Sequence, residues 1–162
     1  MAKLYLVCGP SGAGKTTYSK LLSQKLGILR VCPDEIYALY NGTDLDRSNK
    51  YEVWNTMFSI INVAQRNNKD VIVDTTALSV YNRDELCEWF PEFEKHMIVI
   101  ETPRDLRRSN NRNRKRVIPE QAMDKMDERW VRPTKEEKKW KTIKFLTNEN
   151  NSYFLLKEEI NN

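Results

Sequence analysis

Gly9-Pro10-Ser11-Gly12-Ala13-Gly14-Lys15-Thr16 matches G-x-x-x-x-G-K-[ST], the spacing of a phosphate-binding loop. Glycines allow successive backbone N–H groups to converge on an anion with no Cβ in the way. A helix that follows directs its positive end at the same anion. In such a loop Lys15 is expected to reach the β and γ oxygens of a nucleoside triphosphate, and the Thr16 hydroxyl to sit on Mg²⁺. The flanks agree. Leu4-Tyr5-Leu6-Val7-Cys8 is an apolar run suited to a buried parallel strand, and Tyr18, Leu21, Leu22 and Leu26 recur at helical spacing before Gly27, a natural stop. Gly9, Ser11, Gly12, Ala13, Gly14, Lys15, Thr16 and the adjoining Thr17 are therefore candidate nucleotide-binding residues.

Further along, Ile28–Cys32 reads as a second short strand, broken by Pro33-Asp34, with a short helix over Glu35–Tyr40. Asn41-Gly42-Thr43-Asp44 is turn chemistry. Ser48–Asn68 is the clearest helix, with an apolar stripe of Val53, Met57, Ile60 or Ile61, and Ala64, widened by Trp54 and Phe58. Val71–Val73 is a third strand, ending at Asp74-Thr75-Thr76. Tyr81–Phe90 is helical up to Pro91, and Met97–Ile100 is a fourth strand. A basic helix follows from Arg104, then a helix near Pro119, where proline suits the first turn. Thr142–Leu146 is a candidate fifth strand. Strands alternating with helices predict an α/β fold: a three-layer, doubly wound parallel sheet of about five strands. Residues 1–162 are expected to form a single domain, with a lid at about 104–120 and a short polar tail at about 148–162 whose small apolar patch, Tyr153–Leu156, has no evident place.

Composition narrows the function classes. No apolar run approaches the 18 or more residues of a membrane span, and the N-terminus runs straight into the first strand, so neither a span nor a signal peptide is expected. Cys8, Cys32 and Cys87 have no metal spacing and suit a reducing cytoplasm. His96 is the only histidine, which argues against a His-based triad or a zinc site. The net charge of +4 is modest but uneven: Arg104–Arg116 holds seven basic residues and one acid, Asp105. That excess points to a phosphate-rich partner, with a solvated helix face as the alternative.

In doubly wound folds ligands bind at the carboxyl ends of the strands. The first strand ends in the phosphate loop, the second at Asp34, the third at Asp74, and the fourth leads to the arginine-rich helix. All four converge on one site. Asp34, closing a strand expected next to the nucleotide strand, is placed to accept a proton from an attacking hydroxyl, or to cap the helix that follows. Asp74 is a metal candidate beside Thr16, or a turn residue. Arg112, Arg114 and Arg116, just before the chain turns at Pro119, are candidates for a lid over the triphosphate.

These stretches, with Pro33-Asp34-Glu35, Val73-Asp74-Thr75-Thr76 and Arg112-Asn113-Arg114-Lys115-Arg116 before Val117-Ile118-Pro119-Glu120, resemble small phosphate-loop kinases. They are similar to the kinase domain of phage and bacterial 5′-hydroxyl polynucleotide kinases, over roughly Lys3–Trp140. The resemblance implies ATP and Mg²⁺ as cofactors, with Lys15 and Thr16 on them. It implies Asp34 as general base toward a nucleic-acid 5′-hydroxyl, and a lid arginine at Arg114, with Arg112 or Arg116 reached by a shift within the run. It also matches Arg83 to an arginine in the helix after Asp-x-Thr, a substrate-binding candidate beside Asp74. Ala77 stands where the family often has Asn. Tyr37 stands near the place where the phage enzyme has an arginine for nucleic-acid phosphate. Tyr37 or Tyr40 would stack on a base, worth about 1–3 kcal/mol, or pack in the core. Two other functions share this scaffold: a kinase for a nucleoside, sugar or antibiotic, and a nucleotide-binding switch that transfers phosphate only to water.

Overall fold

A computed structural model describes residues 1–149; the apolar patch at 153–156 lies outside the described residues. The elements run β1 (Lys3–Cys8), α1 (Lys15–Leu26), β2 (Leu29–Val31), α2 (Pro33–Asn41), α3 (Lys50–Arg66), β3 (Val71–Asp74), α4 (Val80–Trp89), β4 (Glu94–Glu101), α5 (Arg104–Arg112), α6 (Glu120–Arg129) and β5 (Thr142–Thr147). The five strands form one parallel sheet in the order β2-β3-β1-β4-β5.

Alternation along the strands divides the interior into two layers of packing. Leu4, Leu6 and Cys8 of β1 join Val53, Met57, Ile61 and Ala64 of α3, Ile36 and Tyr37 of α2, and Leu86 and Cys87 of α4. Val7 meets Tyr18 and Leu22 of α1, together with Ile72, Ile98 and Ile100. Helices therefore cover both faces, the three-layer arrangement expected. Fully buried side chains such as Leu4, Leu6, Met57 and Ile72 each contribute about 1.5–3 kcal/mol of transfer free energy.

Several details differ from the sequence reading; α2, for one, begins at Pro33 rather than Glu35. β2 does not lie beside β1; β3 runs between them. β3 is buried at every position, which is what a strand with a neighbour on each side and helices on both faces requires. β4 begins at Glu94 rather than Met97, because its backbone pairs with β1 from Lys3 onward, and sheet pairing does not need an apolar side chain. The polar start is satisfied locally: His96 bonds Thr142 through Nδ1 at 2.8 Å and Glu94 through Nε2 at 2.9 Å. α3 starts at Lys50 because Asn49 takes a left-handed conformation, φ 59°.

Candidate active site

The phosphate loop is held from behind by the elements that follow it. Thr102 Oγ1 and Asn148 Nδ2 donate to the Ala13 carbonyl at 2.7 and 3.0 Å, and Asn110 Nδ2 donates to the Gly12 carbonyl at 2.9 Å. Gly12 has φ +80°, and a Cβ there would stand 2.5 Å from the Arg107 carbonyl oxygen. Only glycine admits both that conformation and the approach of α5. Lys15 Nζ donates to the Pro10 carbonyl at 3.1 Å, folded back along the loop. Burial lowers its ammonium below the usual lysine value, against the pull of Asp74 and Asp34.

The loop opens into a cavity of about 620 Å³ at the carboxyl ends of the strands. Its lining includes Ser11, Gly12, Gly14, Lys15, Thr16 and Thr17; Cys32, Asp34, Arg47 and Trp54; Asp74; and Asn110, Arg114, Arg116 and Met126. The expected convergence of four distant stretches on one site is thus present.

Asp34 sits inside the first turn of α2, whose N-cap is Cys32 with no side-chain cap bond, so capping is not its task. Arg47 Nη1 donates to Asp34 Oδ1 at 2.6 Å, and Arg116 Nη2 approaches Oδ2 at 3.5 Å. Burial opposes ionisation of this carboxyl, but the Arg47 hydrogen bond and the charges of Arg116, Arg47 and Lys15 outweigh it and hold its pKa below the ordinary value. A depressed carboxylate pKa adds stability above the unfolded-state value, lost as pH falls through the folded one. The same shift would keep a carboxylate that serves as proton acceptor ionised further into acid. Arg47→Gln is therefore expected to move the acid limb of kcat/KM to higher pH, read from a pH–rate profile; an unmoved limb would show that Arg47 does not set the charge of Asp34.

Arg47 escaped the sequence reading, since it comes from the α2–α3 connection and has no motif around it. Its guanidinium lies 3.8 Å from the ring centroid of Tyr37. Tyr37 itself is buried in the core and does not reach the cavity, so base stacking by Tyr37 is corrected: the ring is a shelf for Arg47. Tyr40 bonds Thr56 at 2.8 Å and lines a separate hollow.

Asp74 is nearly inaccessible, and its Oδ2 accepts from Ser19 Oγ and Arg30 Nη2, both at 2.7 Å. Arg30 also bonds Glu35 at 2.7 Å, so one buried cation ties β2 to α2, β3 and α1. Sequence reasoning missed it because nothing local marks a strand arginine as buried.

The basic run is largely neutralised in three dimensions. Arg104, Arg107, Arg108 and Arg112 pair with Glu120, Asp124 and Asp127 along α6. Four of the run's seven basic residues thus staple α5 to α6, while Arg114 and Arg116 line the cavity. Arg112 is exposed and 3.7 Å from Glu120, outside the cavity, which removes it from the nucleotide candidates. Arg116 reaches Asp34 and Asp44. Arg114 lines the cavity half-buried, with no ion pair among the described residues. Arg83 is also corrected. Its guanidinium is wholly buried, donating to both Glu137 carboxylate oxygens at 3.0 and 2.7 Å and to the Ala77 carbonyl at 2.9 Å, away from the cavity. Burial pushes the thiols of Cys8, Cys32 and Cys87 up to about 12, so none is a nucleophile at neutral pH.

A parallel α/β sheet whose first strand ends in a phosphate loop, with helices α5 and α6 following the fourth strand, defines a phosphate-loop kinase fold. A family profile described as an AAA domain (AAA_33) matches residues 4–133, and the chain belongs to that family. No curated protein matches. Among solved structures, a gluconokinase from Sinorhizobium meliloti 1021 is similar at 16% identity, with 90% of this chain and 82% of that one covered and a TM-score of 0.64. The Pnkp1/Rnl/Hen1 RNA repair complex is similar at 20% identity over 79% of this chain and 43% of that one, TM-score 0.69. The Mycobacterium tuberculosis APS kinase CysC, in complex with AMPPNP and APS, is similar at 16% identity over 89% and 88%, TM-score 0.62. At these identities the likeness establishes the fold. No helix among the described residues is long and apolar enough to cross a membrane.

Proposed function

We propose that this protein is an ATP- and Mg²⁺-dependent kinase that phosphorylates the 5′-hydroxyl of a nucleic-acid strand. The observation that carries the reading is Asp34, ionised and held by two arginines, in the same cavity as the phosphate loop. A protein that only hydrolyses nucleotide has no need of an acceptor-orienting carboxylate there. The backbone of Gly9–Gly14 and Lys15 take the phosphates. Glycine at positions 9 and 12 lets the loop pack closely on β4 and α5, since a Cβ there would strike the Ile100 or Arg107 carbonyl oxygen within 2.8 Å. Thr16 and Asp74 both line the cavity and would hold Mg²⁺ together with phosphate oxygens, Asp74 through a carboxylate that Ser19 and Arg30 already orient, and the cation would offset the charge on the β and γ phosphates.

As the acceptor oxygen bonds to the γ-phosphorus, Asp34 takes its proton. The bond from that phosphorus to the β–γ bridging oxygen breaks, and ADP leaves. Arg114, the cavity arginine with no ion pair among the described residues, stabilises the charge on the moving phosphoryl group. Arg47 offers a cation on the acceptor side that Tyr37 does not supply, which favours a phosphate-bearing acceptor over a neutral sugar.

The test is transfer from γ-labelled ATP to a panel of 5′-hydroxyl DNA, 5′-hydroxyl RNA, nucleosides and sugars, with a no-acceptor control. Label on the oligonucleotides supports the assignment; label on a small molecule alone, or release of phosphate alone, overturns it. Arg114→Ala is expected to lower kcat on the order of 10²–10³-fold with little change in melting temperature. Turnover near wild type would move that role to Arg116.

A further inference from the structure

Among the described residues that line the cavity, Trp54 is the only aromatic one. It stands on α3, one turn past Lys50, and is half-buried against the larger core with its ring 6.1 Å from that of Phe58. The indole is thereby fixed from one side while the cavity opens on another. The other aromatics nearby are committed elsewhere: Tyr37 lies under Arg47, and Tyr40 bonds Thr56 beside a separate hollow. Asp34, Arg47 and Trp54 thus bring to one cavity a proton acceptor, a cation and an apolar ring. A nucleotide presents the matching three groups: a hydroxyl, a phosphate and a π face.

We propose that Trp54 is the acceptor platform, stacking on the nucleobase that carries the accepting 5′-hydroxyl, so that the site selects an end bearing a base over the same backbone without one. This rests on the polynucleotide kinase reading above. Stacking on an aromatic side chain is worth about 1–3 kcal/mol per base, which is about 5- to 150-fold in affinity, and it tolerates all four bases because each has a π face. The selection is therefore for the presence of a base, not for its identity. A tryptophan that only covers Phe58 would affect folding stability and leave this preference untouched.

The experiment uses the full chain with ATP, Mg²⁺ and two oligonucleotides of one sequence, whose first nucleotide either carries its base or is an abasic tetrahydrofuran unit. The wild type is expected to prefer the base-bearing end in kcat/KM by about 5- to 150-fold, mainly through KM. Trp54→Leu should bring that ratio close to one while leaving the KM for ATP unchanged; Trp54→Phe, which keeps a ring and packs conservatively, should retain an intermediate ratio. Equal use of both ends by the wild type, or an undiminished ratio in Trp54→Leu, overturns the platform and leaves the kinase assignment standing. If the leucine variant does not fold, an undiminished ratio in Trp54→Phe overturns it as well. Transfer to sugars with none to either oligonucleotide overturns the parent reading, and the platform with it.

Discussion

Asp34→Asn is expected to lower phosphoryl transfer by about 10²–10⁴-fold, the usual worth of a positioned general base. ATP binding should be nearly unchanged. The asparagine keeps the shape of the side chain and its place in the first turn of α2, but no longer takes a proton at neutral pH. Its partners also limit collateral damage. Arg47 is 44% exposed in its side chain and Asp34 36%, so losing their pairing costs stability only at the scale of a surface ion pair, under about 1 kcal/mol. Rate and stability should therefore separate cleanly. Single-turnover transfer from γ-labelled ATP, with nucleotide affinity measured by calorimetry, checks both halves. Wild-type transfer by Asp34→Asn would remove it as the base. Loss of ATP binding together with transfer would instead make it part of the nucleotide site.

Arg83→Met carries the largest expected effect on folding. The guanidinium is fully buried, and three of its donors bond Glu137 and the Ala77 carbonyl. Truncating it leaves Glu137, whose side chain is 9% exposed, with an uncompensated charge. Breaking one side of a buried pair costs about 3–5 kcal/mol, whereas replacing both partners with apolar groups is far less costly. Arg83→Met alone should lower the urea midpoint sharply, and Arg83→Met with Glu137→Leu should recover much of it. A stable single variant with a raised KM for the acceptor would return Arg83 to the ligand-binding role that its place after the Asp-x-Thr motif implied.

The difference between those two residues shows what local pattern conveys. Asp34 is legible from its place at a strand end, Arg83 only from a resemblance in the helix after Asp-x-Thr. Asp34 stayed in the site because the chain before it is a strand of a parallel sheet, and such strands end on the ligand side by construction. Arg83 lies on α4, where one turn of helix decides between cavity and core, and motif spacing does not resolve that rotation. Arg112, Arg114 and Arg116 repeat the point. Their alternate spacing was plain, but the partner that claimed Arg112 is Glu120, on a different helix. Four basic residues of the run were likewise claimed once α6 brought its acids alongside.

From sequence alone the phosphate-loop motif, the five strands with their helices and the strand ends that line the cavity were already legible. Each follows from short-range chemistry: glycine conformation, apolar periodicity and the direction of parallel strands. Tertiary structure alone decided the rest. It inserted β3 between β1 and β2, turned Tyr37 into a shelf for Arg47, and brought Arg30 to Asp74 across 44 residues. Those outcomes depend on desolvation and on charge partners distant in the chain, and both quantities exist only when the chain has closed on itself. The loop at Gly9–Thr16 could be read in isolation as a cradle for phosphate; which cations and which ring face it were settled by the fold.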